Sequence, residues 1–344
     1  MYHEDFPPLC HSGQQDGETR PAALYDQHGR PIRYLRLAIT DRCNLRCRYC
    51  MPEEGIVPVS HGETLSYEEM TRLVGLLLPL GIDKVRITGG EPFARRGCLH
   101  FLRCLKELGV PRLHLTTNGV ETWRYLDDLR GLGLSGLNLS LDSLNRQRFA
   151  AITRRDRLAE ALDTFSGALA AGIPLKINSV ALPDTGDEEI EELAGLARDH
   201  AITVRFIEPM PFSGANGQLA VKGETLAARL ARLFPGMAAR VLPGGVAEVF
   251  SPPGFTGKIG YIAGHSRTFC QRCDKIRITA TGMLKNCLYD NGVLDLRRFL
   301  RNGASDQEIV AAIRAAIGQR HLDGHLTEMR CARSKQPSMA TLGG

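Results

Sequence analysis

A chain of 344 residues, 43% of them hydrophobic and with a net charge of +5, can bury one large core or two smaller ones. Its charges are interspersed, without the long Lys/Arg block that tracks a nucleic-acid backbone. Its longest apolar run, "LVGLLLPLGI" at 73–82, is about half of what a bilayer span requires. Composition therefore argues against nucleic-acid and membrane partners and favours a small polyanionic ligand.

In chain order, residues 1–30 are polar and carry Pro, Gly, Asp and Glu, with no apolar core of the kind a secretory signal needs. They read as a flexible leader. Between residues 34 and 207 short β-rich runs alternate with helical patterns: "YLRLAIT" (34–40), "KVRIT" (84–88), "RLHLTT" (112–117), "LNLSL" (137–141), "LKINSVAL" (175–182) and "ITVRFIE" (202–208). The first helical link, "SYEEMTRLVGLLLPLG", opens on a capping box of Ser66 and Glu69. Met70, Leu73, Val74, Leu77 and Leu78 form one apolar stripe, and Gly81 ends it. Six βα units predict a parallel sheet, either open and doubly wound or an incomplete (β/α) barrel.

Both architectures bind ligands at the carboxyl ends of the strands. Cys43 follows the first strand, "GGEP" (89–92) the second, "TTNG" (116–119) ends the third, "SLDS" (140–143) follows the fourth and "EPMP" (208–211) the sixth. After about residue 212 the alternation fades into Gly/Pro-rich sequence. Near the end, "SDQEIVAAIRAAIG" predicts an amphipathic helix with a capping box at Ser305 and Glu308. The expected division is a leader at 1–30, a core at 31–211 and a second region at 212–344.

Ten cysteines without a secretory signal point to a reducing compartment, the cytoplasm, where clustered thiols bind metal or do chemistry. Cys10, Cys98, Cys104 and Cys331 are scattered and read as packing or surface residues. The other six form two trios: Cys43, Cys47 and Cys50 in "TDRCNLRCRYCMP", and Cys270, Cys273 and Cys287 in "CQRCDKIRITATGMLKNC". Structural zinc and electron-transfer iron–sulfur clusters are normally closed by four ligands. Three thiolates on a cubane of four irons leave one iron open to a small molecule. Two such sites imply two small molecules bound by iron.

The C-x3-C-x2-C spacing, with Tyr49 before its last cysteine, resembles the signature of the radical S-adenosylmethionine superfamily. That resemblance implies that the open iron chelates S-adenosylmethionine and that the cluster cleaves it to a 5′-deoxyadenosyl radical. In "GGEP", Gly90 would let backbone approach the ligand and Glu91 would receive the ammonium of its methionine part. Together "YLRLAITDRCNLRCRYCMPEEG", "KVRITGGEPFARR", "LTTNG", "LNLSLDS", "VRFIEPMP", the second trio and the terminal "LGG" resemble the GTP 3′,8-cyclase family of molybdenum-cofactor biosynthesis, from about residue 25 to the end.

That resemblance implies an incomplete (β/α)6 TIM-type barrel with a C-terminal domain carrying an auxiliary cluster. It implies two [4Fe-4S] clusters, S-adenosylmethionine as cofactor and GTP as substrate, cyclised to 3′,8-cyclo-7,8-dihydro-GTP. Carried over position by position, it assigns the first cluster to Cys43, Cys47 and Cys50 and the second to Cys270, Cys273 and Cys287. Tyr49, Gly90, Glu91, Ser140 and Met210 would bind S-adenosylmethionine. Arg36, Arg86, Thr116, Lys176, Arg205, Lys275, Ile276 and Arg277 would bind GTP, with Arg205 on the common rim. Gly343 and Gly344 would reach into the active site. An electron donor and the next enzyme of the pathway, cyclic pyranopterin monophosphate synthase, are the implied partners, and a homodimer is compatible with the reading.

Two departures stand out: Asp274-Lys275 where the family usually has Asn-Arg, and Pro209 where it usually has an aromatic. The alternative is another radical S-adenosylmethionine enzyme with an auxiliary cluster, a diverged paralogue or a peptide maturase. "HLDGH" at 321–325 has helical ligand spacing, but Gly324 weakens a helix there, so it reads as structural.

Overall fold

Six parallel strands follow the expected order: β1 (Tyr34–Ala38), β2 (Lys84–Thr88), β3 (Arg112–Thr117), β4 (Gly136–Ser140), β5 (Leu175–Val180) and β6 (Thr203–Ile207). The computed structural model describes residues 23–210, 224–236, 240–241, 246–264, 270–331 and 338–342. Each strand alternates. Leu35 and Leu37, Val85 and Ile87, Leu113 and Leu115, and Leu137 and Leu139 are buried in the hydrophobic core. Their neighbours Tyr34, Arg36, Lys84, Arg86, Thr116 and Asn138 line an interior cavity. The helix Tyr67–Leu77 carries the expected Ser66–Glu69 capping box and buries Met70, Leu73, Val74 and Leu77.

The later strands are β7 (Arg240–Val241), β8 (Glu248–Phe250), β9 (Lys258–Ile262), β10 (Lys275–Ile278), β11 (Met283–Lys285) and β12 (Leu294–Asp295). They join the same sheet, whose order is β12-β11-β10-β1-β2-β3-β4-β5-β6-β9-β8-β7. Strand β10 pairs parallel to β1 and β9 parallel to β6, while the outer hairpins run antiparallel. The six-stranded barrel wall is thus widened at both edges by the C-terminal sequence. The sheet is open: no pairing joins β12 to β7 among the described residues.

This qualifies the expected division, because the change of composition near residue 212 is not a break in the sheet. The helix Asp306–Gly318, with its Ser305–Glu308 capping box, lies beside the helix Tyr67–Leu77. Arg72 pairs with Asp306 at 2.7 Å and Arg301 with Glu69 at 2.7 Å. The leader also needs correction. Residues 23–30 are anchored rather than loose, since Leu24, Asp26 and Arg30 are buried and Tyr25 bridges to Pro31. Gly324 does not break the following segment; it begins the helix Gly324–Cys331. Cys98 and Cys104 are buried in the helix Cys98–Glu107, as packing residues would be.

Candidate active site

After β1 the chain turns at Thr40–Arg42 and enters the first cysteine loop, which is fixed mainly through backbone. Arg46 and Arg48 donate their amides to Thr153 and Ile152, and the Arg154 guanidinium donates to the carbonyls of Arg46 and Met51. The amides of Cys50 and Met51 both return to the Cys47 carbonyl. Ser338, near the end of the described chain, donates its hydroxyl to the Cys50 carbonyl at 2.7 Å.

The three thiols face the interior cavity. Burial, then the Glu91 carboxylate, pushes Cys43 up to about 11. Burial and the neighbouring thiols push Cys50 up to about 12 and Cys47 well above its ordinary value. Three thiolates gathered in low dielectric repel one another, and a bound cationic metal centre is what would reverse the cost. Among the described residues no three His, Cys, Asp or Glu side chains converge on a single metal ion. Thiolates at separate corners of a cubane do not have to converge in that way.

The "GGEP" segment serves the loop through close backbone contact. A Cβ on Gly90 would sit 2.2 Å from the Arg42 carbonyl oxygen, and one on Gly89, at φ +153, would sit 2.4 Å from that of Thr40. Only glycine fits such an approach. The amides of Gly90 and Glu91 then donate to Thr40 and Arg42. Glu91 is fully buried and lies behind the cavity wall, which includes Gly89 and Gly90 but not Glu91. It accepts from the Thr117 hydroxyl at 2.9 Å and the Asn118 amide at 2.7 Å, and burial pushes it up to about 7. Its observed contacts tie the second loop to the third strand.

Tyr49, Gly90, Ser140 and Met210 all line the cavity beside the first trio. The Tyr49 hydroxyl donates to Asp142 at 2.8 Å, and Asp142 also accepts the Val180 amide at 2.9 Å. Tyr49 is thereby anchored to β5.

Below this rim the interior is cationic. Parallel register sets Arg277, Arg36 and Arg86 side by side on β10, β1 and β2, and Lys275, Tyr34 and Lys84 in the row beneath. Lys176 and Arg205 complete the wall from β5 and β6. These residues sit within the strands, so the expectation that Arg205 lies on the rim is corrected. Mid-strand side chains on the concave face point into the barrel, where solvent is scarce.

Burial, reinforced by neighbouring cations, pushes Arg36 down to about 9, Arg205 to about 10 and Lys84 to about 8. Nε and Nη2 of Arg205 and Nη1 of Arg277 are buried without a hydrogen-bond partner among the described residues. Gly260, opposite Arg205, leaves room for this arrangement, since a Cβ there would lie 2.6 Å from Arg205 Cγ. Buried cations with unmatched donors fit a polyanion, whose charge would restore what burial removes. Thr116 lines the same wall and accepts from Arg86 at 3.2 Å. Ile276 alternates away from the cavity and is fully buried in the core, which leaves only its backbone for a ligand.

The second trio lines the same cavity, which measures about 1090 Å³ and is walled by all six cysteines. Burial would raise Cys273, but the charges of Arg320 and Lys275 outweigh it and lower the thiol. Cys287 is pushed up by burial to about 11. Asp274 and Lys275 pair with each other at 2.6 Å.

Sequence reasoning missed the frame behind this trio. Arg30 joins Asp26 at 2.6 Å and donates to the carbonyls of Cys270, His321 and Leu322, while Arg320 donates to that of Cys273. Asp26 and Arg30 lie in the supposed leader, and nothing local marks them. Lys84 was also missed, although its i, i+2 spacing from Arg86 places both on one strand face. Met339 and Ala340 reach the cavity wall; Gly343 and Gly344 lie outside the described residues.

Residues 37–197 match the Radical SAM superfamily and residues 202–326 match Molybdenum Cofactor Synthesis C. A GTP 3′,8-cyclase of Geobacter sulfurreducens is 41% identical over 327 residues, covering 93% of this chain and 99% of that protein. One from Moorella thermoacetica is 37% identical over 331 residues, with 93% and 100% covered. Molybdenum cofactor biosynthesis protein 1 of Dictyostelium discoideum is 34% identical over 339 residues, covering 96% of this chain and 53% of that protein. Among solved structures, Streptococcus suis SuiB bound to S-adenosylmethionine has a TM-score of 0.59 at 16% identity, with 83% of this chain and 68% of that chain covered. That likeness carries the fold.

Proposed function

From the premise that the chain belongs to the GTP 3′,8-cyclase family of radical SAM enzymes in molybdenum cofactor biosynthesis, we propose how its residues divide the reaction. Cys43, Cys47 and Cys50 would hold one [4Fe-4S] cluster and Cys270, Cys273 and Cys287 a second. When bound, the first cluster supplies the electron that splits S-adenosylmethionine, so that the C3′ hydrogen of GTP is removed and C3′ joins C8 of guanine.

Everything else falls to side chains and backbone. Tyr49, Gly90, Ser140 and Met210 shape the S-adenosylmethionine pocket. Glu91 acts from behind it, by fixing the "GGEP" loop, and so orients the pocket through backbone. Arg36, Lys84, Arg86, Lys176, Arg205, Lys275 and Arg277 hold the triphosphate, and Thr116 steadies Arg86. Anchoring the phosphates in the barrel and guanine at the second trio leaves the ribose between them, facing the first. A primary carbon radical takes the nearest hydrogen, so this clamping decides the product.

The observation that carries the reading is a single cavity walled by both thiol trios and by buried cations with unmatched donors. An external electron donor and the next pathway enzyme are the partners we infer. Among the described residues no helix is long and apolar enough to cross a membrane, and we assign the enzyme to the cytoplasm. Anaerobically reconstituted protein, given S-adenosylmethionine, reductant and GTP, should form 5′-deoxyadenosine and a cyclised nucleotide together. Formation of 5′-deoxyadenosine without any GTP-derived product would refute the assignment of GTP.

A further inference from the structure

Tyr34 stands among the phosphate-site cations without being one of them. It lies on β1, is almost fully buried and lines the cavity. Parallel register puts it directly between Lys275 of β10 and Lys84 of β2. The Lys84 ammonium lies 4.5 Å from the centre of its ring and that of Lys275 5.0 Å away. Both are within reach of a cation–π attraction. Its hydroxyl accepts Nε of Arg86 at 2.5 Å, and Nη1 of Arg86 goes on to the Leu115 carbonyl and the Thr116 hydroxyl.

One aromatic side chain thus touches three cations on the two flanking strands, and it also meets Arg36 on its own strand. These cations would otherwise repel one another across a low-dielectric interior, and flexible lysines would lose entropy on gathering there. We propose that Tyr34 is a positioning residue of the triphosphate site, its ring spacing Lys84 and Lys275 and its hydroxyl setting the fork of Arg86 before the nucleotide arrives. The inference rests on the cyclase reading of the cavity. It agrees with the electrostatics: burial would raise the phenol, but Arg86, Arg36 and Lys84 outweigh it. The oxygen therefore sits in a field that stabilises an anion.

The test compares reconstituted holoenzyme of the wild type, Tyr34→Phe and Tyr34→Leu, each titrated anaerobically with GTP, inorganic tripolyphosphate and S-adenosylmethionine. Phe keeps the ring and loses the hydroxyl; Leu loses both. Both anions should bind about tenfold more weakly to Tyr34→Phe and about a hundredfold more weakly to Tyr34→Leu, with S-adenosylmethionine affinity held within about twofold. In turnover, KM for GTP should rise more than kcat falls. Equal tripolyphosphate affinity in all three proteins overturns the proposal, and so does a parallel loss of S-adenosylmethionine binding, which would mark a structural role. If the wild type binds tripolyphosphate but not GTP, the cyclase reading fails, and the tripolyphosphate series still decides the role of Tyr34.

Discussion

Replacing Arg205 by Met should make the nucleotide-free protein more stable and a poorer binder of GTP. The guanidinium is pushed well below its ordinary value, to about 10, first by burial and then by Arg86, and two of its nitrogens lack partners among the described residues. A base with a depressed folded pKa is charged at neutral pH in both folded and unfolded chains. Its cost is therefore fully present below about pH 10 and is relieved only as pH rises through that value. The shift corresponds to about 3 kcal/mol, which for a chain of this length is about 4 °C in Tm.

Met keeps the apolar stem and removes the charge, so most of that cost should be recovered. The affinity for GTP should fall by about thirtyfold or more, because a forked, desolvated contact to phosphate is lost. Anaerobic thermal unfolding by circular dichroism, with equilibrium titration of GTP alongside, reads both effects. A lower Tm together with unchanged GTP affinity would show that Arg205 is a structural residue and that the cationic interior is not the phosphate site.

Three further outcomes are expected. Gly90→Ala forces a Cβ to 2.2 Å from the Arg42 carbonyl oxygen; it should cost about 3 kcal/mol and reduce iron at the first trio, as read by unfolding and metal analysis. Arg30→Met leaves Asp26 without its 2.6 Å ion pair and frees the carbonyls of Cys270, His321 and Leu322. Stability should fall by about 3 kcal/mol and iron by about half, with the remaining cluster still cleaving S-adenosylmethionine. Cys50→Ala should abolish 5′-deoxyadenosine formation, whereas Cys287→Ala should spare that cleavage more than cyclisation, as chromatography of both products would reveal.

The first six strands were legible because each is a short β-rich run bounded by turn residues, and the predicted ends fall within two residues of the observed ones. The Ser66–Glu69 and Ser305–Glu308 capping boxes were equally local. Strands β9 and β10 were not legible, since their parallel partners are β6 and β1 and a Gly/Pro-rich stretch gives no local hint of that pairing. The same limit explains the site. Both cysteine trios and most of the cations show in the text of the chain, whereas Asp26, Arg30, Arg320 and Tyr34 matter only through what the fold brings beside them. Glu91 shows the opposite case, a motif residue whose contacts point behind the wall.

Two three-thiolate sites share one cavity, and each would leave a metal corner for a small molecule. Mössbauer spectroscopy of anaerobically reconstituted protein, with iron and sulfide analysis, tests this most directly. About eight irons per chain in two cubanes are expected, with one trio's spectrum altered by S-adenosylmethionine and the other's by GTP. A single cubane, bound zinc at either trio, or spectra unmoved by both molecules would contradict it.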